Sequence, residues 1–353
     1  MRILQEVNYI GGLGADRWIV GGYHDAFEAL GHEHFFWTAS KNLARKLDEV
    51  EPDVLMIGGD RLTYENLPML LAARKKGAKI FLFTDAFALS NPVWKDIILN
   101  KNVVDIYHGE TEPEWMRPFE VATGMKYHHL PNAANAKYHF PATPTKKYQH
   151  DIVFLGAMMP NKRAAFEKLL LPLRKRYDVK IYGPNWTVKD NAIRLAALAS
   201  RKIGMYRVNE WVNKLRLIVP LEEENQLYSS AKICLNIHER GEHIKSHVIL
   251  NERTFKIPAC GGFEICDFVP PLRRYFAEDE VVMASQPLGA GELFGMGDME
   301  GVWVDYWFKK IDYYLNHDAE RKAIQAKGTA RALRDHTYHA RAKRVLELAG
   351  FSR

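Results

Sequence analysis

The 353-residue chain has few cysteines: Cys234, Cys260 and Cys266, an odd number and never in C-x-x-C spacing. A disulfide framework and a zinc ribbon are both excluded, and the three read as buried, reduced thiols. No apolar run reaches the ~18 residues that a membrane-spanning helix requires. The opening MRILQEVNYIGG is strand-like and lacks the layout of a secretory leader, so a soluble, cytoplasmic protein is expected. Two further absences bear on chemistry. No G-x-G-x-x-G follows the first strand and no acidic residue closes the second near Phe36, which disfavours a nicotinamide site and an oxidoreductase. No Asp-x-Asp occurs anywhere. Phosphates held through a carboxylate-bound divalent ion are therefore disfavoured, and cations with helix N-termini are the alternative for neutralising a leaving diphosphate. Tandem repeats and low-complexity tracts are also missing.

What is present is 47% hydrophobic and 26% charged residues. At roughly 150 residues per domain this suggests two cores, hence two lobes and a cleft. Apolar runs alternate with amphipathic segments: Arg2 to Val7, Trp18 to Leu30, His34 to Trp37, Lys41 to Val50, Val54 to Ile57, Tyr64 to Lys76 and Lys79 to Phe83. That β-α-β-α rhythm predicts a parallel sheet with helices on both faces. Val103 to Tyr107 and Lys126 to Leu130 are further candidate strands. The stretch HFPATPTKKYQH has two prolines and no periodicity, and the rhythm restarts at DIVFLG. The expected organisation is a Rossmann-like domain over 1–140, a linker over 141–150, a second Rossmann-like domain over 151–335, and a C-terminal helix over 336–353, a candidate to cross back. Two doubly wound α/β domains place ligands at the carboxyl ends of both sheets, which suits bringing two substrates together.

Fifteen basic and eighteen acidic residues precede residue 141, and thirty-four and twenty-five follow, so the net +6 divides into −3 and +9. Concentration of the excess in one half suggests a specific anion there. The densest stretch, Lys189 to Arg216, holds Lys189, Arg194, Arg201, Lys202, Arg207, Lys214 and Arg216 against Asp190 and Glu210, with Tyr206 and Trp211 interleaved. It reads as a solvated helix face plus a loop, or as a polyanion patch in contact with nucleic acid.

Gly11, Gly12 and Gly14 follow the first strand and precede a helix; they form either a tight turn or a loop whose amides meet an anion. Asp85 directly follows the strand Lys79 to Phe83, where a carboxylate can take a proton from an attacking hydroxyl or cap a helix. Asp16, His24 and Asp25 are rival bases, the last two expected on the first helix. Arg163, beside Lys162 at a helix start, suits a pyrophosphate or is a surface cation. His238, His243 and His247 lie within ten residues, but Gly241 interrupts them and no carboxylate completes a metal set. His238, ending the strand Lys232 to Ile237, reads as a hydrogen-bond donor at the cleft. In NERTFKIPACGGFEICD, Asn251, Arg253 and Thr254 fall near a helix start and Gly261-Gly262 at its end, as a turn or beside a ligand.

That last block, with LEEENQLYSSAKICLNIHERG and ALRDHTYHARAKRVLEL, resembles the glycosyltransferases group 1 domain of spore-maturation (CgeB-type) proteins. LGAMMPNKRAAFEKLLLPLRKRYDVKIYG is similar to that family's nucleotide-sugar domain, and EPDVLMIGG, IFLFTDAF and YHHLPNAANAKYHFP to its acceptor-side domain and crossover. The resemblance implies a GT-B fold, an N-terminal acceptor domain, and a C-terminal domain binding a nucleoside-diphosphate sugar as co-substrate, with no cofactor and no obligatory metal. By position it implies that Arg163, Arg253, Thr254, Gly261 and Gly262 lie at the diphosphate and sugar, with Asn236 and His238 at the cleft. Asp85 matches an aspartate that similar proteins place after the fourth strand. One departure stands out. The family has Glu in TFEIPACGG, used on the donor ribose, where this chain has Lys256. Lysine accepts no hydrogen bond, so Glu252 or Glu264 would have to serve, or the donor is unusual.

The expected activity is a hexosyl or pentosyl transfer. Asp85, or failing it Asp16 or Asp25, handles the acceptor hydroxyl, while Arg163, Arg253 and Lys256 neutralise the diphosphate. The acceptor is a polysaccharide, glycolipid, protein or small molecule. One rival reading is a DNA-modifying transferase acting on hydroxymethylated bases through the basic stretch. Another is a non-catalytic nucleotide- or glycan-binding protein in which Lys256 disables donor use.

Overall fold

The computed structural model describes residues 1–7, 16–38, 42–158, 166–213, 215, 219–238, 250–267, 269–284 and 302–351. The chain forms two compact units, Met1–Lys137 with Asp335–Arg353, and Tyr138–Arg334.

The first unit contains β1 (Arg2–Val7), α1 (Asp16–Ala29), β2 (Glu33–Thr38), α2 (Leu43–Val50), β3 (Val54–Ile57), α3 (Leu67–Lys75), β4 (Lys79–Phe83), α4 (Pro92–Asn100), β5 (Ile106–Gly109), α5 (Pro113–Thr123) and β6 (Tyr127–His129). The strands make one parallel sheet in the order β2-β1-β3-β4-β5-β6. All four residues of β3 are buried, the continuous apolar run that a sheet covered on both faces demands. Leu55, Ile57, Ile80 and Leu82 pack into the core on one face, and Ile3, Val54, Met56 and Phe81 into that on the other. Two features depart from the sequence reading. Helices α4 and α5, each opened by a proline at its first position, had no counterpart in it; Asn91 caps α4 by accepting from the amides of Val93 and Trp94. Strand β5 starts three residues later than Val103, because Asp105 anchors the strand entrance: its carboxylate accepts from Ile80 N at 2.9 Å and from the Arg74 guanidinium at 2.8 Å.

The second unit contains β7 (Ile152–Leu155), β8 (Val179–Tyr182), α6 (Val188–Lys202), α7 (Tyr206–Asn213), α8 (Glu224–Ser230), β9 (Ile233–Asn236), α9 (Arg253–Ala259), β10 (Glu264–Cys266), β11 (Val282–Met283), α10 (Val302–Asn316) and α11 (Asp318–Asp335). Its strands are also parallel, in the order β11-β10-β9-β7-β8. Ile152, Phe154, Leu235, Ile265 and Trp307 centre its core, and Cys234, Cys260 and Cys266 are all buried thiols.

The last helix, α12 (Tyr338–Leu348), belongs to the first unit. Ala134 N donates to His336 O at 2.9 Å and Tyr338 N to Ala134 O at 2.8 Å. The Tyr338 ring fills the space a side chain would take at Gly22 of α1, where an added Cβ would stand 2.1 Å from it. Among the described residues no helix is long and apolar enough to cross a membrane.

The two sheets are the doubly wound Rossmann-like pair expected from the rhythm of the sequence. In each, strand order reverses about the first strand: β1 lies between β2 and β3, and β7 between β8 and β9. Connections leave such a strand toward opposite faces, so a crevice opens at its carboxyl end, where open α/β sheets bind ligands.

Candidate functional site

At the carboxyl ends of β1 and β3 the first unit has a cavity of about 490 Å³. Its walls include Glu6, Gly59, Asp60, Trp94, His108 and Glu110. Each acidic residue there follows or closes a strand. Glu6 is structural: its carboxylate takes the Gly58 amide at 2.8 Å and Arg61 Nε at 2.5 Å. Asp60 is exposed. Glu110 receives Asn132 Nδ2 at 2.5 Å. His108 is 5% exposed, and its Nε2 has no hydrogen-bond partner among the described residues. Burial, with a smaller push from His128, lowers its pKa to about 3, so it is a neutral imidazole. These residues were missed in the sequence. The signal that picks out Asp85, a carboxylate just past a strand, also picks out Asp60 and Glu110 after VLMI-GG and IYHG.

Asp85 does lie just past β4, in an adjoining hollow of about 90 Å³ that shares Gly59, Phe83 and Trp94 with the larger cavity. Its Oδ1 accepts from Phe87 N at 2.8 Å, the turn-capping geometry that was the alternative to a base. Asp25 and His24 are on α1 and do not line the cavity. Both Asp25 oxygens are engaged, by Lys137 Nζ at 2.6 Å and Asn135 Nδ2 at 2.8 Å. His24 Nδ1 lies 3.2 Å from His34 Nδ1, and its Nε2 is 3.3 Å from Glu28. Asp16 opens α1.

In the second unit, Asn236, His238, Arg253 and Thr254 come together at the carboxyl ends of β7, β9 and β10. Arg253 donates from Nε to Asn236 Oδ1 at 3.1 Å and from its terminal nitrogens to the carbonyls of Leu155 and Ile237. Its guanidinium also lies over the Phe154 ring. A side chain at Gly156 would stand 3.0 Å from Phe154 and 3.4 Å from Arg253 Nη1, so glycine there admits the guanidinium to the end of β7. Asn236 Nδ2 donates to Glu264 Oε1 at 2.8 Å and to Thr254 Oγ1 at 3.2 Å. The hydroxyl of Thr254, fully buried, then has His238 Nε2 at 2.9 Å as its acceptor. The proton of His238 is thus on Nδ1, donated to Asp267 Oδ1 at 2.7 Å. Asp267 Oδ1 also accepts the His238 amide at 3.0 Å. His238 is only 1% exposed, with both ring nitrogens engaged. It is a member of this network and not the outward-facing donor that its place at a strand end suggested.

Glu264 is 2% exposed. Burial pushes its pKa up to about 8, against the lowering effects of the Asn236 hydrogen bond and Arg253. It therefore holds a proton at neutral pH and does not itself offset the charge of Arg253, whose Nη1 has the Glu252 carboxylate 4.0 Å away.

Three expected donor ligands stand elsewhere. Lys256 is 2% exposed and its Nζ is 3.0 Å from Glu224 Oε2, itself fully buried on α8; His139 Nε2 lies 3.7 Å from the same oxygen. Gly261, at φ +72°, stops α9, its amide donating to Pro258 O, and a Cβ on Gly262 would stand 2.9 Å from Ile257. These glycines precede β10 and so mark the amino edge of the sheet, opposite the edge where Arg253 stands. Gly11, Gly12, Gly14, Arg163, Lys214, Arg216, His243 and His247 lie outside the described residues. Among the described residues no group of His, Cys, Asp and Glu is arranged to hold a metal ion.

Two parallel Rossmann-like sheets in one chain make the GT-B fold of glycosyltransferases, and solved structures of that class match almost the whole chain. A sucrose-phosphate synthase from Thermosynechococcus elongatus aligns with TM-score 0.59 and 13% identity over 98% of each chain. An alpha-glucosyltransferase solved with UDP aligns with TM-score 0.60 and 11% identity over 99% of this chain and 100% of its own. HepE of Anabaena, solved with UDP-glucose, gives 0.58 and 10% over 99% of each. At such identities the likeness is one of fold. No curated protein matches the sequence. Residues 162–347, more than half of the chain, match the family described as Glycosyl transferase-like, and the chain belongs to that family.

Proposed function

We propose that the chain moves a sugar from a nucleoside-diphosphate sugar to an acceptor hydroxyl, with no resident metal or cofactor, and that it stands among the CgeB-type members of its family. The observation that carries this is Arg253: a buried cation fixed by Asn236 and two strand-end carbonyls at the switch point of the second sheet. Such a preorganised charge stabilises a departing diphosphate without reorganising as negative charge develops. The solved structures bound to UDP and UDP-glucose support the donor class. Lys256, paired with Glu224, has a structural role, which supports reading the position as part of a buried ion pair rather than as a donor contact.

The acceptor occupies the cavity of the first unit, whose about 490 Å³ is of the size that holds small ligands. Asp60 and Glu110 accept hydrogen bonds from its hydroxyls, and Glu110 is the base if transfer inverts the anomeric centre. Carboxylates on these walls favour a neutral polyol, on a glycan or small molecule, over a polyanion. The alpha-glucosyltransferase has also been solved with UDP and 13-mer DNA, so hydroxymethylated DNA belongs in the same acceptor panel.

Titration with nucleoside diphosphates tests the donor site: Arg253→Met is expected to weaken binding by about thirtyfold or more. A folded Arg253→Met that binds as tightly as the parent overturns the donor assignment. In a transfer assay Glu110→Gln is expected to lower kcat by about 10²- to 10⁴-fold with diphosphate affinity unchanged.

A further inference from the structure

Helices α6 and α7 form a hairpin. Thr187 Oγ1 caps α6 by accepting from Asp190 N at 3.0 Å. Gly204 ends the helix at φ +78°, with Met205 N donating back to Ser200 O at 2.8 Å. Asn209 Nδ2 then ties α7 to α6 through Ala197 O at 2.6 Å. The inward face of α6 is accounted for by Asp190, Ala197 and Ser200, all buried.

The outward face is the anomaly. Val188, Ala192, Leu195 and Ala199 recur at i, i+4, i+7 and i+11, a second apolar stripe directed at solvent. Val188, Leu195, Leu198, Ile203 at the hairpin tip and Trp211 on α7 are between 50% and 88% exposed. Lys189, Arg194, Arg201, Lys202 and Arg207, all exposed, are interspersed with them. Of the two acidic residues from 188 to 213, Asp190 and Glu210, Asp190 is buried and accepts from the Asn185 amide.

We propose that this hairpin docks the protein on an anionic lipid bilayer, its apolar stripe and tip entering the headgroup boundary while the cations meet lipid phosphates. Charge and apolarity together select the occupant. A bilayer surface supplies an apolar phase and negative charge side by side, and Trp at the boundary is favoured there. Nucleic acid answers the cations but leaves Leu195 and Ile203 in water. A second copy packed about a two-fold axis sets Arg194, Arg201 and Lys202 against their own counterparts.

Sedimentation of the full chain with vesicles tests this and needs no transfer activity. The chain is expected to partition onto vesicles of equal parts phosphatidylglycerol and phosphatidylcholine, and at least about tenfold less onto phosphatidylcholine alone. The double substitution Leu195→Glu, Ile203→Glu, on exposed positions, is expected to cut binding about tenfold or more while thermal melting is unchanged. Lys202→Gln with Arg207→Gln lowers it less and flattens its salt dependence. No binding to anionic vesicles overturns the proposal. So does binding that the Leu195, Ile203 variant retains in full while DNA competes for it, which marks a plain polyanion patch. A dimer in light scattering that the same variant dissociates overturns it in favour of a self-interface.

Discussion

At the carboxyl edge of the second sheet, Asn236, His238, Thr254 and Asp267 engage one another's polar atoms and hold Arg253. At the same edge of the first, Asp60, His108 and Glu110 line an open cavity. One region is nearly saturated, Glu264 Oε2 excepted, the other is open, and the donor and acceptor roles proposed for them differ in the same way. A diphosphate is a fixed ligand whose charge grows in one place, so a rigid cation with its partners locked beneath it is the useful arrangement. An acceptor presents hydroxyls in many geometries, and carboxylates on the wall of a cavity answer them without a single imposed pose. The contrast predicts that removing one member from the saturated side damages folding, whereas the open side tolerates substitution and loses function.

The largest effect is expected at Lys256. Replacing it by Met leaves the carboxylate of Glu224 buried without its cation, and this costs about 3–5 kcal/mol in urea unfolding. The double substitution Lys256→Met, Glu224→Met removes both charges and is expected to recover most of that loss. If Lys256→Met alone costs under about 1 kcal/mol, the pair does not hold α8 against α9, and buried polar pairing in the second unit contributes less than the comparison requires.

Glu264 gives an intermediate effect, read through pH. Its pKa is pushed up to about 8 in the folded state, from about 4.5 for a solvated glutamate. Between those values the folded state holds a proton that the unfolded state has lost. The stabilisation is therefore fully present below about pH 4.5 and fades as pH rises through 8, at about 1.4 kcal/mol per pH unit. Glu264→Gln keeps an oxygen for Asn236 and cannot titrate. It is expected to flatten the pH dependence of the urea midpoint between pH 5 and 8, and to hold diphosphate affinity above pH 8, where the parent's Glu264 begins to offset Arg253. A slope unchanged by Glu264→Gln means another group supplies it.

How much of this was legible in the sequence follows from range. Both sheets are local in origin: VLMI and IFLF are apolar throughout because parallel strands are buried on both faces, and one sequence run carries that signal. NERTFKIPACGGFEICD likewise brought Arg253 and Thr254 forward by their place at a helix start. Lys256 was not legible, because its partner Glu224 lies 32 positions earlier and only the packing of α8 against α9 makes them meet. Gly261 and Gly262 were legible as glycines at a helix end, but which edge of the sheet they occupy depends on strand direction. Glu110 and Asp60 were within reach of the strand-end rule that selected Asp85. What a single sequence does not carry is which strand ends share one cavity.

Asp85 gives the smallest expected effect and the sharpest test of where the open side ends. Its Oδ1 is already the acceptor for the Phe87 amide, and the hollow beside it, about 90 Å³, is less than a fifth of the larger cavity's about 490 Å³. Asn keeps that acceptor, so Asp85→Asn is expected to change stability by less than about 0.5 kcal/mol and kcat by less than about twofold, whereas Asp85→Ala loses the cap and costs about 0.5–2 kcal/mol. The pairing of the two variants separates the roles. A drop in kcat of about 10²-fold or more in Asp85→Asn with an unmoved melting temperature would transfer the base from Glu110 to Asp85 and extend the acceptor site past Gly59 into the smaller hollow.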